Sequence, residues 1–206
     1  MATIPTPKTW EDIDDDPDSP DKPTAAEFNE QIKDIINLVT HPKRCMVKHG
    51  SDAVIQKDTW TLLTWTAADD ADTDDMHSTS SNQSRLVAKT AGVYHVHLMV
   101  IWQSGGVTVA IPAGVRGIQI RKNSGGTAGG TEICSDRRRA GDKLNSHMGN
   151  SCSGFVEMAE NDYVEAYVRH GQDNINFPIP IDDEVDVLHS TAGFVRFSAV
   201  WAGTGV

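Results

Sequence analysis

Strand-forming segments follow one another from about Cys45 to the C-terminus, and no helical pattern separates them. In residues 94–100, YHVHLMV, apolar side chains alternate with histidine and methionine, which is the two-residue period of a half-buried strand. Successive strands without crossover helices pair antiparallel and bury one face against a second layer. The sequence therefore predicts an all-β fold, an antiparallel sandwich or barrel.

The other candidate strands have the same composition, rich in β-branched and aromatic residues. In one of them Val164 and Val168 point to one face, while Glu165 and Arg169 point to the other, as a half-buried strand requires. The predicted strands cover 59–66, 85–89, 94–100, 115–122, 154–158, 163–169 and 194–201.

The links between the predicted strands carry turn residues. The glycine-rich stretch 123–130, NSGGTAGG, is typical of a turn, and it lacks the lysine and the strand-to-helix context of a phosphate-binding loop. Residues 172–190 form a longer predicted loop that contains Phe177 and Ile179 and is long enough to be a functional protrusion.

Residues 1–22 are acidic and rich in proline, with Trp10 and Ile13 as almost the only large apolar side chains. This composition cannot bury a core of its own, so we expect an extended N-terminal arm. The arm is either a solvated tail or a segment laid against another subunit. Trp10, an aromatic in a polar arm, favours docking.

Residues 23–42 carry the clearest helix pattern. Thr24 and Glu27 form a T-x-x-E capping box, and Pro42 follows the last helical residues. The apolar residues then recur at Phe28, Ile32, Ile35 and Val39. Because helices below about 12–15 residues are marginal without packing, we expect this anchoring helix to pack on its own domain, on symmetry mates or on a larger assembly.

The charge balance excludes several partners. Lys and Arg total 18 against 29 Asp and Glu, which gives a net charge of -11 that repels nucleic acid. The first ten residues have no apolar signal-peptide core, and no stretch approaches the roughly 20 apolar residues of a membrane span. We expect neither nucleic-acid binding nor membrane insertion, and synthesis in a cytoplasm.

The three cysteines, Cys45, Cys134 and Cys152, lack C-x-x-C spacing, and their number is odd. This pattern indicates neither a disulfide framework nor a zinc site. Since free cysteines are among the most buried residues, we predict free, mostly buried thiols.

An acidic segment follows the tryptophan-rich strand. Its carboxylates stand at Asp69, Asp70, Asp72, Asp74 and Asp75. Alternating oxygen ligands are compatible with Ca²⁺, but the glycine and glutamate that a calcium loop needs are missing, which favours a solvated turn. A turn of this kind can also serve recognition, through Asp70, Asp72 and Asp74.

Two further clusters have alternative interpretations. His95 and His97 share a strand face that His77 could approach, so they indicate a metal site, or more commonly a polar face or subunit contact. The basic run at 137–139 is either a solvated loop or a clamp for a carboxylate of a neighbouring subunit. No catalytic motif is present. We therefore expect a protein without enzymatic activity, cofactor or metal.

Two stretches resemble known families. The segment PDKPTAAEFNEQIKDIINLVTHP resembles a leader of tailed-bacteriophage virion proteins. The match is carried by Thr24, Ala25, Asn29, Ile32, Asp34 and Pro42. This resemblance implies a virion protein made in the host cytoplasm: a head decoration, head fibre or minor tail protein.

The remainder resembles phage versions of the jelly roll shared by complement globular heads and tumour-necrosis-factor proteins. Gly92 and Tyr94 match its Gly-x-Tyr strand, and Asn161, Asp162 and Val164 match a second strand motif. The resemblance implies an antiparallel jelly-roll β-sandwich at 43–206 that trimerises through one sheet.

Two functions follow as hypotheses. In the first, the arm at 1–22 and the helix at 23–42 bind capsid or tail proteins, and a homotrimer of the sandwich reinforces the particle. In the second, exposed loops bind a glycan or protein of the host surface. The first hypothesis explains a helix that is too short to be stable alone.

Overall fold

The computed structural model describes residues 29, 30, 32, 33, 36, 42–49, 53–55, 58–67, 69–103, 114–139, 148–172, 186–188 and 195–203. The chain divides into two compact units, Met1–Pro42 and Lys43–Val206. In the first unit the described residues 29, 30, 32, 33 and 36 are helical. The arm at 1–22 lies outside the described residues. Among those residues no helix has the length and apolar character needed to cross a membrane.

The described part of the second unit is built from strands. They are β1 (Arg44–Lys48), β2 (Ala53–Ile55), β3 (Thr61–Leu62), β4 (Ala71–Asp72), β5 (Arg85–Val87), β6 (Gly92–Gln103), β7 (Gly114–Lys122), β8 (Thr131–Arg139), β9 (Met148–Met158), β10 (Tyr163–Gln172), β11 (Asp186–Leu188) and β12 (Arg196–Gly203).

These strands form two antiparallel sheets. The larger sheet has the order β2-β11-β6-β12-β1-β4, and β9 also pairs with β6. The smaller sheet has the order β3-β10-β7-β8, and β5 also pairs with β10. The predicted all-β class is confirmed.

The core lies between the inner faces of the two sheets. Alternate residues of β6 point inward, and Tyr94 and Leu98 are fully buried there. The ring of Trp65 stacks on Phe197 of β12, with 5.7 Å between centroids. Each large side chain buried in this way stabilises the fold by about 1.5–3 kcal/mol.

The strand predictions differ from the structure in several places: β1, β2, β4, β8 and β11 are absent from them, and β9 begins before the predicted 154–158. In 59–66 only Thr61–Leu62 joins a ladder. The segment then changes partner, because Leu63 donates to the carbonyl of Ala166 and Trp65 to that of Gln83. Strand β8 is absent from the prediction because its sequence, TEICSDRRR, is polar, as an edge position allows.

Glu165 is the clearest departure from the predicted strand faces. It lies on the outer face of β10, yet it is fully buried. The turn at 123–130 folds over it, and Gly126 donates its backbone N–H to the carboxylate over 3.1 Å. The predicted turn therefore covers a part of the smaller sheet that the alternation assigned to the uncovered face.

Candidate functional site

The outer face of the larger sheet is made by alternate residues of four neighbouring strands, β9, β6, β12 and β1. The register sets His95 of β6 opposite Val200 of β12 on one side and Phe155 of β9 on the other. Directly opposed residues of antiparallel strands lie on the same face. Arg44 of β1 extends the same row, because it pairs with Val200.

Phe155 is the most exposed apolar side chain of this face. It is 70% exposed, and its ring centroid lies 5.0 Å from that of His95. The register places further apolar side chains on this face, all of them partly buried: Met46, Val93, Met99, Ile101 and Val200. Contiguous apolar surface with an exposed aromatic is typical of a protein interface.

The outer face is mixed in character, because histidines lie at its centre and Arg196 of β12 lies on it, opposite Met99 of β6 and Lys48 of β1. Burial, and then the neighbouring His95, lower the pKa of His97 below its ordinary value of 6.5, so this imidazole is mostly neutral at pH 7. Its Nε2 lies 2.9 Å from the hydroxyl oxygen of Ser151. Arg44 and Lys48 lie at the β1 side. An exposed aromatic among polar and charged side chains is common in subunit interfaces.

Two residues that the sequence singled out as candidates lie on this face. His95 and His97 lie on it, which fits the expected polar face or subunit contact. His77 does not join them, because its Nδ1 lies 2.7 Å from Asp69 and its Nε2 lies 3.2 Å from the carbonyl of Gln83. Phe155 was not singled out. The sequence feature that could have identified it is one aromatic among polar residues at alternate positions of β9: Ser151, Ser153 and Glu157.

The acidic segment is solvated in part, since Asp70 and Asp75 are exposed, but some of its carboxylates are held by the protein. Asp72 accepts hydrogen bonds from the backbone N–H groups of Met76 at 3.0 Å and His77 at 2.9 Å. Asp70 pairs with Lys48 over 2.6 Å. Asp72 therefore orders the chain that follows β4, and Asp70 ties the segment to β1.

The remaining residues of the predicted recognition set have mixed outcomes. Asp74 is partly buried and lies 4.0 Å from the ammonium of Lys43. Phe177 and Ile179 lie outside the described residues. Of the predicted anchoring residues, Ile32 is helical and 40% exposed. The others, Trp10, Ile13, Phe28, Ile35 and Val39, also lie outside the described part of the chain.

One group of possible metal ligands lies within the described residues, with atoms of Cys45, Asp69 and Asp72 all within 4.8 Å of one another. Burial, followed by the charges of the two aspartates, raises the pKa of the Cys45 thiol far above its ordinary value. Both carboxylates already accept hydrogen bonds from the protein, which explains the group without a cation.

A groove crosses the outer face of the smaller sheet. Gly117 of β7 pairs with Arg137 of β8 and with Arg169 of β10, so both guanidinium groups flank a glycine floor. Arg137 lies over the Trp60 ring, 5.7 Å from its centroid, and Arg169 donates to Asp58 over 3.4 Å. The groove has a volume of about 260 Å³. An indole beside two guanidinium groups suits a ligand with an apolar face and a negative charge.

The basic run at 137–139 therefore does not form a single clamp. Arg138 pairs with Asp136 of its own strand over 2.8 Å, whereas Arg137 lies against Trp60 in the groove. Adjacent residues of a strand point to opposite faces, so the three side chains cannot converge on one carboxylate.

Comparison with known proteins supports the fold. No protein-family model matches the chain, and no curated protein matches it. The structure is similar to murine APRIL at pH 5.0, with a TM-score of 0.51 and 7% identity, over 77% of this chain and 97% of APRIL. It also matches the globular domain of a zebrafish complement 1qA protein, with a TM-score of 0.48 and 10% identity, over 80% of this chain and 99% of that domain.

The likeness to APRIL confirms the predicted antiparallel jelly-roll β-sandwich. At this level of identity it concerns the fold alone, because one fold serves many unrelated functions.

Proposed function

We propose that this chain is a structural protein of a tailed-bacteriophage particle, which forms a homotrimer through the outer face of the larger sheet and attaches to the capsid or tail surface through residues 1–42. The observation that carries the proposal is Phe155, 70% exposed beside His95 on the outer face of the larger sheet. The virion role comes from the resemblance of the leader, and the trimer from the resemblance of the sandwich.

Self-association accounts for the exposed aromatic. Removing a phenylalanine side chain from water contributes about 1.5–3 kcal/mol, and a cyclic trimer gains this contribution at each of its interfaces. In a solution of this protein, a second copy of the chain is the partner that is always present. His97 is neutral at pH 7, which lowers the cost of burying this face.

Attachment to the particle is assigned to the helix in residues 23–42. Ile32 is 40% exposed and Ile36 is 52% exposed in its described part, so the helix presents apolar surface. One weak contact of this kind becomes firm when three copies are linked, because the second and third bindings are intramolecular.

Co-sedimentation with particles of the source virus assembled without this protein tests the attachment. The full-length wild type should sediment with the particles, and the double variant I32D/I36D should bind at least about tenfold more weakly. Glu30→Gln, an exposed change on the same helix, is the control. A double variant that binds like wild type contradicts the anchoring role, and a wild type that does not bind contradicts the virion role.

A second candidate function is recognition of the host surface, and the groove at Trp60 favours it. The ligand class is an acidic saccharide, whose carboxylate would meet Arg137 and whose apolar ring face would contact the indole. Calorimetric titration with sialylated and uronic-acid oligosaccharides tests this. Trp60→Ala should abolish binding and Arg138→Ala should retain it. An absence of heat with every acidic saccharide contradicts this function.

A further inference from the structure

The edges of the two sheets meet at β8 and β9. Strand β8 ends the smaller sheet, and β9 borders β6 in the larger one. The side chain of Asp136 bridges this corner, because its Oδ2 accepts from Asn150 Nδ2 at 3.0 Å and from the backbone N–H of Ser151 at 3.2 Å. The strands therefore lie side by side although no ladder joins them.

Two of the cysteines face each other across the same corner. Cys134 of β8 is partly exposed, whereas Cys152 of β9 is 7% exposed. The two side chains are close enough for each thiol to shift the pKa of the other. The Cβ position of Gly154, two residues after Cys152, lies 3.6 Å from the Cβ of Cys134. Since Asp136 bonds to Asn150 on the other side, Cys134 lies level with the segment of β9 that contains Cys152. All three cysteines are free, as the sequence predicted, but no spacing rule indicated this pair.

We propose that Cys134 and Cys152 form a redox modification site, in which a low-molecular-weight disulfide such as oxidised glutathione converts the two thiols into a disulfide that joins the sheets. The proposal is independent of the virion role and of the trimer, since the corner lies within one chain.

The environments of the two sulfurs assign their roles. Interaction with the Cys152 thiol lowers the pKa of Cys134, although burial opposes this shift, so Cys134 is the more readily formed thiolate. Interaction with Cys134 and then burial raise the pKa of Cys152 far above its ordinary value. A partly exposed thiolate reacts first because nucleophilic attack needs both charge and access.

The reaction then proceeds in two exchanges. The Cys134 thiolate attacks one sulfur of the small disulfide, forms a mixed disulfide and releases one thiolate. Cys152 loses its proton to solvent and attacks the Cys134 sulfur, and the second small thiolate leaves. The protein loses two protons and two electrons, and the small disulfide gains them as two thiols. The negative charge on Cys134 is absent by the second exchange, so Cys152 ionises more easily.

Cys45 provides an internal control. It is fully buried on β1, and burial with the two nearby aspartates disfavours its thiolate. It should therefore stay reduced under conditions that oxidise the other two.

The test uses the full chain incubated with oxidised glutathione, then denatured and alkylated for intact-mass and peptide mapping. We expect one alkylated cysteine, Cys45, a mass loss of two hydrogens before alkylation, and a Tm increase of roughly 6–12 °C. Cys152→Ser should stop at one glutathione adduct on Cys134, Cys134→Ser should stay reduced, and Cys45→Ser should behave like wild type.

Other outcomes would overturn the proposal. They are three alkylated cysteines in the treated wild type, a stable glutathione adduct on wild-type Cys134, or a disulfide that maps to Cys45. Since each variant is read by mass as well as by Tm, a variant that folds poorly does not hide the result from the wild-type chain.

Discussion

Arg85 donates from its Nε to the Oε1 of Glu165 over 3.0 Å, and its guanidinium group lies 4.0 Å from the centroid of the Tyr163 ring. Ser84 donates to the same carboxylate oxygen over 3.0 Å, and Ser124 and Tyr167 donate to the other. A fully buried carboxylate thus joins β5, β10 and the turn at 123–130.

Replacement of Glu165 by alanine should reduce the free energy of unfolding by roughly 3–5 kcal/mol, since it leaves several buried donors and one guanidinium without their acceptor. Urea unfolding measures the change. Glu160→Ala, at an exposed turn, is the control and should cost less than about 0.5 kcal/mol. Equal losses for the two variants would show that the buried carboxylate has no special role.

Acid should destabilise the fold between about pH 4 and pH 2 through Asp162. Hydrogen bonds from Lys122 and then from Asn123 lower its pKa from 3.8 to about 2. Because the folded pKa lies below the unfolded one, the native state binds fewer protons in this range. The stabilisation is complete above about pH 4 and is lost as pH falls through about 2.

Asp162→Asn should therefore be less stable than wild type at pH 7 and similar to it near pH 2. Thermal unfolding across this range compares the two proteins. A pH dependence as steep as that of wild type in the variant would show that other carboxylates cause the acid lability.

Two glycines of the turn at 123–130 should respond differently to alanine. Both have positive φ, 65° at Gly125 and 68° at Gly130. A Cβ at Gly130 would lie 2.2 Å from the carbonyl oxygen of Lys122, whereas a Cβ at Gly125 meets nothing within 4 Å. Gly125→Ala should cost about 1–2 kcal/mol for backbone strain alone, and Gly130→Ala clearly more. Similar urea midpoints for the two variants would contradict this account.

Phe155→Glu should convert the proposed homotrimer into monomers, because it would place three carboxylates in an interface that must exclude water. Sedimentation velocity at micromolar concentration measures the change. Val115→Glu alters a residue that is 37% exposed on the smaller sheet and should leave the trimer intact. Trimers of Phe155→Glu would move the interface elsewhere on the sandwich.

The fold could be predicted well from the sequence because burial of one strand face produces a two-residue period of apolar side chains. Residues 94–100 alternate strictly, and the structure buries the even-numbered positions of that strand. Strand β8 has no such period, since much of its surface is exposed at a sheet edge. Asp186–Leu188 also escaped prediction, because three residues are too few to define a period.

The candidate sites could be predicted less well because long-range pairing creates them. Phe155 becomes significant only when the register sets it beside His95. Cys134 and Cys152 meet because two sheet edges converge, which no local spacing encodes. Glu165 is buried by a turn about 40 residues before it in the chain, and alternation alone assigns it to the uncovered face.

Self-association as a homotrimer is tested most directly by light scattering, which measures the mass of the purified chain in solution at neutral pH. A homotrimer should have a mass three times that of the 22.4 kDa chain, stable on dilution to low micromolar concentration. A mass of one chain across that range would contradict self-association through the face that carries Phe155, and with it the multivalent attachment proposed here.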